Sequence, residues 1–320
     1  MNRIAAFFAA CFASAAFAQP YPHRPITLTV PFAAGGPTDT IARIMAERMS
    51  KSLGQPVVVE NTAGAGGTIA VNKIMNAAPD GYSLGIGHLG THVIAAAVQD
   101  VKANYLTDLV PVGMMASNPQ IIVSKTAVPA KDLKELISWV KANSADASSG
   151  TGGPGTPSHI SAVYFGNTVG VPLNIIHYKG SGPALQDVMA GHIALTFDQA
   201  ANAIPQIRAG RIKAYAVTQK TRLASAPEIP TADEAGLPGF HMTVWHAFWL
   251  PKGTPKEVVA KLNTAMKEAL ADPVTRKKME DLGQEIPPVE QQTPEALHAY
   301  HKSETEKWFA LIKAANIKAQ

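Results

Sequence analysis

The sequence is short of thiols, because its 320 residues contain a single cysteine, Cys11. Cys11 lies in a run of apolar and small residues that follows Arg3 and ends in Ala16-Phe17-Ala18. This arrangement is typical of a secretory signal peptide that is cleaved after Ala18, so we assign residues 1–18 to it. The mature chain then has no thiol, which excludes disulfides, a cysteine nucleophile and thiolate ligands to a metal.

Charge and long hydrophobic runs are also scarce. Charged residues make up 16% of the chain and the formal net charge is +4, which becomes +3 when Arg3 leaves with the signal peptide. The basic residues are spread along the chain, so nucleic acid is not expected as a partner. No later segment offers about eighteen uninterrupted apolar residues, and we therefore expect a soluble protein in the periplasm.

What the sequence does contain is a strand, a glycine loop and a helix in direct succession. The alternating run Ile26–Val30 predicts a strand, and the apolar spacing over residues 41–49 predicts an amphipathic helix. Between them, Gly35 and Gly36 form a turn, and Thr38 and Asp39 are expected to cap the helix. Glycines let a ligand approach the backbone, and the free N–H groups of a helix N-terminus attract anions. The loop indicates an anion site, with an ordinary strand-to-helix turn as the alternative.

The same pattern recurs along the chain. Two further predicted strands, at 57–60 and 82–87, also end in glycine-rich loops before a helix, and this βαβα order predicts a largely parallel sheet. Residues 119–221 repeat the pattern. We therefore predict an α/β protein in which residues 19–118 and 222–320 form lobe 1 and residues 119–221 form lobe 2, with crossings near Asn118 and Gln219. A cleft between two such lobes is a natural small-molecule site.

Three segments resemble catalytic, cofactor or metal-binding motifs, but none of them supports that function. Ser158-His159 and Asp198 suggest a hydrolase, but the surrounding Gly155–His159 segment is not G-x-S-x-G, and adjacent helical residues do not easily form a nucleophile–base pair. The segment Gly85–Gly90 matches G-x-G-x-x-G, yet an exported protein lies outside the nucleotide pool. His88 and His92 lack a third zinc ligand. We predict no catalytic residue, no metal and no cofactor.

Several segments resemble the Bug family, the periplasmic solute-binding proteins of tripartite tricarboxylate transporters. These segments occur in the same order as in the family: Tyr21–Ile26, Val30–Asp39, Val57–Gly67, Ala78–Tyr82, Gly90–His92, Tyr178–Ala184, Ala214–Thr218 and Pro251–Val259. The resemblance implies a two-lobed, type II periplasmic-binding-protein fold (a Venus flytrap) that closes on its ligand. It also implies that backbone N–H groups and ordered waters bind a carboxylate, without an arginine clamp.

The resemblance also implies a set of ligand-binding residues in each lobe. In lobe 1 they are Phe32, Ala34, Gly36, Thr38, Asp39, His88 and Thr91, and in lobe 2 they are Gly152, Thr156, Ser158, His159, Tyr178, Lys179, Gly180 and Asp198. The expected ligand is a di- or tricarboxylate. An aromatic dicarboxylate such as terephthalate is the alternative, because the segments Phe197–Asn202 and Val244–His246 suggest a more aromatic and polar cleft.

The family further implies that the ligand is delivered to the membrane subunits of the transporter. We expect the protein to act as a monomer and not as an enzyme. Two other functions stay open from the sequence: an exported hydrolase that uses Ser158 and His159, and a ligand sensor that is not coupled to uptake.

Overall fold

The computed structural model describes residues 21–99, 101 and 103–314, so the predicted signal peptide and Cys11 lie outside the described residues. The strands are β1 (Ile26–Val30), β2 (Val57–Asn61), β3 (Ser83–His88), β4 (Leu109–Lys125), β5 (Ser148–Thr151), β6 (Asn174–His177), β7 (Leu195–Gln199), β8 (Ile212–Val217) and β9 (Thr243–Pro251).

The helices are α1 (Pro37–Leu53), α2 (Thr68–Met75), α3 (Ala95–Val98), α4 (Tyr105–Asp108), α5 (Leu133–Ala142), α6 (Pro157–Val169), α7 (Ser181–Ala190), α8 (Ala200–Arg208), α9 (Lys256–Ala271), α10 (Pro273–Asp281) and α11 (Pro294–Ala314). A π-helical turn, Gly90–Ile94, precedes α3. Within the described ranges, no helix combines the length and the apolar character that a membrane crossing requires.

The strands form one mixed sheet path. Its order is β2-β1-β3-β9-β4-β7-β5-β6, and β8 pairs with β4 outside this path. The expected parallel pairing holds for β1 with β2 and β3, and for β5 with β6 and β7. It does not hold for β4 and β9, which pair only antiparallel, with each other and with β3, β7 and β8. The physical reason is that β4 carries the chain out of lobe 1 and β9 brings it back.

Strand β4 is the outgoing crossing. Its 17 residues run through both halves of the sheet without a break at Asn118-Pro119. Pro119 faces Thr243 at the end of the β9 ladder, and the next residue, Gln120, already pairs with Gln199 of β7. Proline has no N–H to give to a ladder, and it therefore fits the point where the strand changes partners.

The return crossing lies later than expected. One core packs β1, β3, α1 and α9 around residues such as Leu28, Met45 and Leu262. A second core joins α5, α6 and β7 and includes Leu237 and Phe240. Because residues 223–240 pack in the second half, the chain returns at the start of β9 and not near Gln219. By packing, we assign the described residues up to 118, together with 243–314, to lobe 1 and residues 119–242 to lobe 2.

Candidate functional site

A cavity lies between the two lobes. Its volume is about 10 Å³, which is room for about one water molecule, and it is partly open to solvent. Five residues that were expected in the site line it, namely Phe32, Thr38, His88, Thr156 and Ser158. Five more line it that were not expected: Pro37, Gln120, Pro157, Ser181 and Gln199. Both lobes therefore contribute to the wall, and none of the lining residues described is a lysine or an arginine.

Helices α1, α6 and α7 begin at this cavity, and none of them carries a side-chain cap. The N-cap residues are Gly36 for α1, Thr156 for α6 and Gly180 for α7, and in each case no side chain accepts a hydrogen bond from the first turn. Uncapped first turns leave N–H groups without an intrahelical partner, and they favour negative charge. The cavity wall can therefore bind an anion through backbone donors alone.

The start of α1 differs from the expected one. Thr38 and Asp39 were expected to cap this helix, but Pro37 is its first residue and Gly36 is the N-cap. Proline suits the first helical position, because the N–H that it lacks would have no partner there. The Thr38 hydroxyl is thus free of capping, and it faces His246 Nε2 at 3.3 Å.

His88 contributes a neutral imidazole to the lobe 1 wall. Its ring stacks on Phe32 with 5.0 Å between centroids, and its Nδ1 accepts a hydrogen bond from the backbone N–H of Gly90 at 2.8 Å. Burial lowers the pKa of His88 to about 3. The ring is therefore uncharged at neutral pH, and because Nδ1 accepts, the proton lies on Nε2. Thr91 does not line the cavity, since its Oγ1 bonds to both backbone groups of His88.

The lobe 2 loop does not form a hydrolase pair. Ser158 Oγ accepts a hydrogen bond from the backbone N–H of Gly152 at 2.9 Å. His159 Nδ1 accepts one from the N–H of Gly155 at 3.1 Å. A serine nucleophile needs the imidazole as its hydrogen-bond acceptor, whereas here each side chain binds a different backbone donor. Both residues instead hold the glycine loop at the start of α6.

Two glutamines that the sequence did not indicate as site residues line the cavity. Gln120 is fixed within lobe 2, where its Nε2 donates to the carbonyl of Phe197 at 3.0 Å and its Oε1 accepts from Ser161. The Oε1 of Gln199 accepts from Asn118 Nδ2 at 3.3 Å, which leaves the Gln199 amide hydrogens for the cavity. The expected residue at this strand end was Asp198. Neighbouring strand residues point to opposite faces, so the residue next to it reaches the cavity instead.

Asp198 lies buried on the far face of β7. Its carboxylate accepts from the backbone N–H of Gln199 and from Asn202 Nδ2. Burial raises the pKa of Asp198 to about 7. The structure places it behind the cavity wall, where it holds the start of α8 and does not face the cavity.

Asp39, Tyr178, Lys179 and Ala34 do not line the cavity either. Asp39 accepts hydrogen bonds from Arg43, from Asn61 and from the N–H of Gly35, and it thereby ties down the first glycine loop. The hydroxyl of Tyr178 donates to Asp187 at 2.5 Å. Lys179 is exposed, and Ala34 is also exposed. The family resemblance implied these residues as ligand contacts, but none of them lines the cavity.

The lobes touch one another beside the cavity. The backbone N–H of Ala33 donates to the carbonyl of Lys179 at 3.0 Å, and Gln99 Nε2 donates to the carbonyl of Pro154 at 3.2 Å. An added Cβ on Gly36 would lie 3.5 Å from the backbone nitrogen of Gly182. These contacts describe a closed arrangement, in which both lobes enclose the small cavity.

Comparison with known proteins identifies relatives along nearly the whole chain. Residues 41–317 match the family described as "Tripartite tricarboxylate transporter family receptor". The solved structure of the periplasmic binding protein BugD is 41% identical, with a TM-score of 0.90 over 94% of this chain and 100% of that one. MatC from Rhodopseudomonas palustris, solved with bound malate, is 38% identical, with a TM-score of 0.88 over 91% of this chain and 100% of that one. An R. palustris protein solved with adipate is 31% identical, with a TM-score of 0.88 over 93% and 99%.

Proposed function

The chain belongs to the tripartite tricarboxylate transporter receptor family, which confirms the resemblance to the Bug proteins, and we propose that it captures a small aliphatic dicarboxylate between its lobes. It is a periplasmic solute-binding receptor by family. In the proposed function, the bound acid closes the lobes, and the closed protein delivers it to the membrane subunits of a transporter.

The observation that carries the proposal is the convergence of uncapped helix N-termini on a cavity without basic side chains. Backbone N–H groups of α1, α6 and α7, the hydroxyls of Thr38 and Ser158, and the neutral His88 offer hydrogen-bond donors there. An ionised carboxylate only accepts hydrogen bonds, so it matches a wall of donors. An ammonium ligand would instead face the positive ends of the helix dipoles. Carboxylate groups at both ends of the ligand let each lobe bind one of them.

The wall favours an aliphatic over an aromatic ligand. MatC and the adipate-bound protein, both similar to this chain, hold aliphatic diacids. The aromatic side chain of Trp245, which was expected in the cleft, packs elsewhere: it contacts Trp249 and Tyr300 within lobe 1. Among the lining residues that the structure describes, Phe32 is the only aromatic ring beside His88, and the two already stack on each other. Terephthalate is therefore the second candidate, and malate and adipate come first.

A binding screen tests the proposal. Thermal shift is measured with L-malate, succinate, adipate, citrate and terephthalate, because a ligand that binds only the folded state raises the melting temperature. The diamide of malate is the matched control, since it has the same skeleton without charge. We expect malate or adipate to stabilise the protein and the diamide to have no effect. Stabilisation by neutral or cationic compounds alone would contradict the proposal.

Delivery to a transporter needs a separate measurement. A strain without this protein is expected to lose uptake of the radiolabelled acid that the screen identifies. Loss of a transcriptional response to that acid with uptake unchanged would instead support a sensor.

A further inference from the structure

His246 lies directly behind Thr38 in lobe 1. The imidazole Nε2 of His246 is 3.3 Å from the hydroxyl Oγ1 of Thr38, although the residues are 208 positions apart. His246 is 0% exposed and Thr38 is 1% exposed. His246 belongs to β9 and Thr38 to the first turn of α1, so the contact lies within one lobe and does not depend on closure.

The buried ring of His246 is neutral. Its surroundings are apolar strand residues and the edge of the His88 ring, whose centroid is 5.4 Å away. Burial, and then the neighbouring His88, hold the pKa of His246 well below its usual value. A neutral imidazole has one N–H donor and one bare nitrogen, so the position of the single proton decides what Thr38 meets.

The other ring nitrogen shows where that proton is. Nδ1 of His246 is buried and finds no hydrogen-bond partner among the described residues. A buried N–H without an acceptor is rarer and more costly than a bare nitrogen in the same place. The proton therefore lies on Nε2, and His246 donates to Thr38 Oγ1.

This tautomer sets the direction of the threonine hydroxyl. If Thr38 donated its hydrogen to His246, it would show only lone pairs to the cavity and would repel a carboxylate. Because His246 donates instead, the hydroxyl hydrogen stays free for the cavity that Thr38 lines. We propose that His246 is a positioning residue that makes Thr38 a donor toward the ligand, and so selects an acceptor oxygen at this point of the site. The inference rests on the proposed function in one respect, that the ligand contacts Thr38.

The tautomer can be measured without any ligand. Long-range (two-bond) ¹H–¹⁵N correlation spectra of the ¹⁵N-labelled protein distinguish the two neutral forms of each histidine, and His246→Gln identifies the signals of His246 by their loss. We expect the Nε2–H form at neutral pH, and a shift of the Nε2 resonance in Thr38→Val. The Nδ1–H form would overturn the inference, whatever the protein binds.

Calorimetric titration with L-malate tests the effect on binding. We expect Thr38→Val to weaken binding about tenfold, since it removes one hydrogen bond to a charged group. His246→Phe keeps the ring shape without the donor and should weaken binding severalfold, whereas His246→Gln restores an N–H near Thr38 and should recover part of the loss. In the Thr38→Val background, His246→Phe should cost nothing further.

The outcomes separate the inference from the proposed function. Additive losses from Thr38→Val and His246→Phe, with wild type binding malate, would contradict the inference alone. If wild type binds no acid of the screen, the proposed function fails, and the tautomer measurement still decides the assignment of His246. Melting curves by circular dichroism show whether each variant is folded, and the exposed His241→Phe serves as the control substitution.

Discussion

The backbone N–H of Ala33 and the carbonyl of Lys179 join the two lobes through a hydrogen bond of 3.0 Å. The bond links the first glycine loop of lobe 1 to the loop before α7 of lobe 2. Gly36 of lobe 1 and Gly182 of lobe 2 also approach each other closely. A side chain at position 182 would therefore tighten this contact between the lobes.

The first prediction is that Gly182→Ala hinders closure. An added Cβ would lie 3.0 Å from the nitrogen of Gly36 and 3.1 Å from the carbonyl carbon of Gly35, which is tighter than ordinary contact, so the backbone of lobe 1 must move away by a few tenths of an ångström. The same change at Gly36 meets Gly182 at an ordinary 3.5 Å, so Gly36→Ala is the matched control. We expect Gly182→Ala to bind L-malate severalfold more weakly and Gly36→Ala to bind nearly as wild type does.

Small-angle scattering distinguishes closure from a local effect. Wild type should become more compact on addition of saturating L-malate, and Gly182→Ala should do so less. Equal affinities in the two glycine variants would show that this contact does not limit closure.

The second prediction concerns the hydroxyl of Ser158. Ser158→Ala removes the acceptor of the Gly152 N–H and a cavity donor together. We expect a stability loss of about 1 kcal/mol and a weaker affinity for L-malate, because a buried N–H loses its partner. Ser138→Ala, on the exposed face of α5, is the control. Turnover of p-nitrophenyl esters by wild type that disappears in Ser158→Ala would instead reveal a hydrolase.

The third prediction uses the buried Asp198. Its pKa is raised to about 7 in the folded protein, from an ordinary value near 3.8. The native state then binds more protons than the unfolded state between these values, so stability falls as the pH rises from about 4 to 7. The difference is at most roughly 4 kcal/mol.

The variant Asp198→Asn lacks this titration. In urea melts from pH 5 to pH 8, wild type should lose stability relative to Asp198→Asn, and the exposed Asp233→Asn should follow wild type. If the stability of wild type and of Asp198→Asn changed in parallel with pH, Asp198 would not have the raised pKa in the folded protein.

The fourth prediction concerns His301 of α11. Its Nε2 donates to the carbonyl of His92 at 2.9 Å, and burial lowers the pKa of His301 to about 4. Here the unfolded state binds more protons, so stability is lost as the pH falls from about 6.5 toward 4. At pH 5 this amounts to at most roughly 2 kcal/mol.

His301→Gln keeps a side-chain N–H donor and does not titrate. Its stability should fall less than that of wild type between pH 7 and pH 5, when both are measured by urea unfolding. His241→Gln, at the surface, provides the comparison. A steeper acid loss in His301→Gln than in wild type would refute the assignment of a neutral buried imidazole.

Much of the fold follows from local patterns. The alternating run Ile26–Val30 is β1 as predicted, and the helix predicted after the first glycine loop is α1. These predictions succeed because a period of 2 or 3.6 in apolar residues is itself the condition for burying one face. The antiparallel pairing of β4 with β9 could not be predicted in this way, because the two strands lie more than a hundred residues apart in the chain.

The site shows the same division at the level of single side chains. Glycine loops and proline-started helices at strand ends indicated where donors for an anion would gather, because a helix start leaves its N–H groups unpaired whatever surrounds it. Which side chains face the cavity depended on the tertiary structure. Gln199 faces it in place of Asp198 because the sheet presents one face of β7 to the cleft. The direction of the Thr38 hydroxyl is set by His246, which lies on a strand that is distant in sequence. Free backbone N–H groups at a helix start are a local property of the chain. The side chains that face the cavity, and the nitrogen of His246 that carries the proton, are set by contacts between segments that only the packed fold brings together.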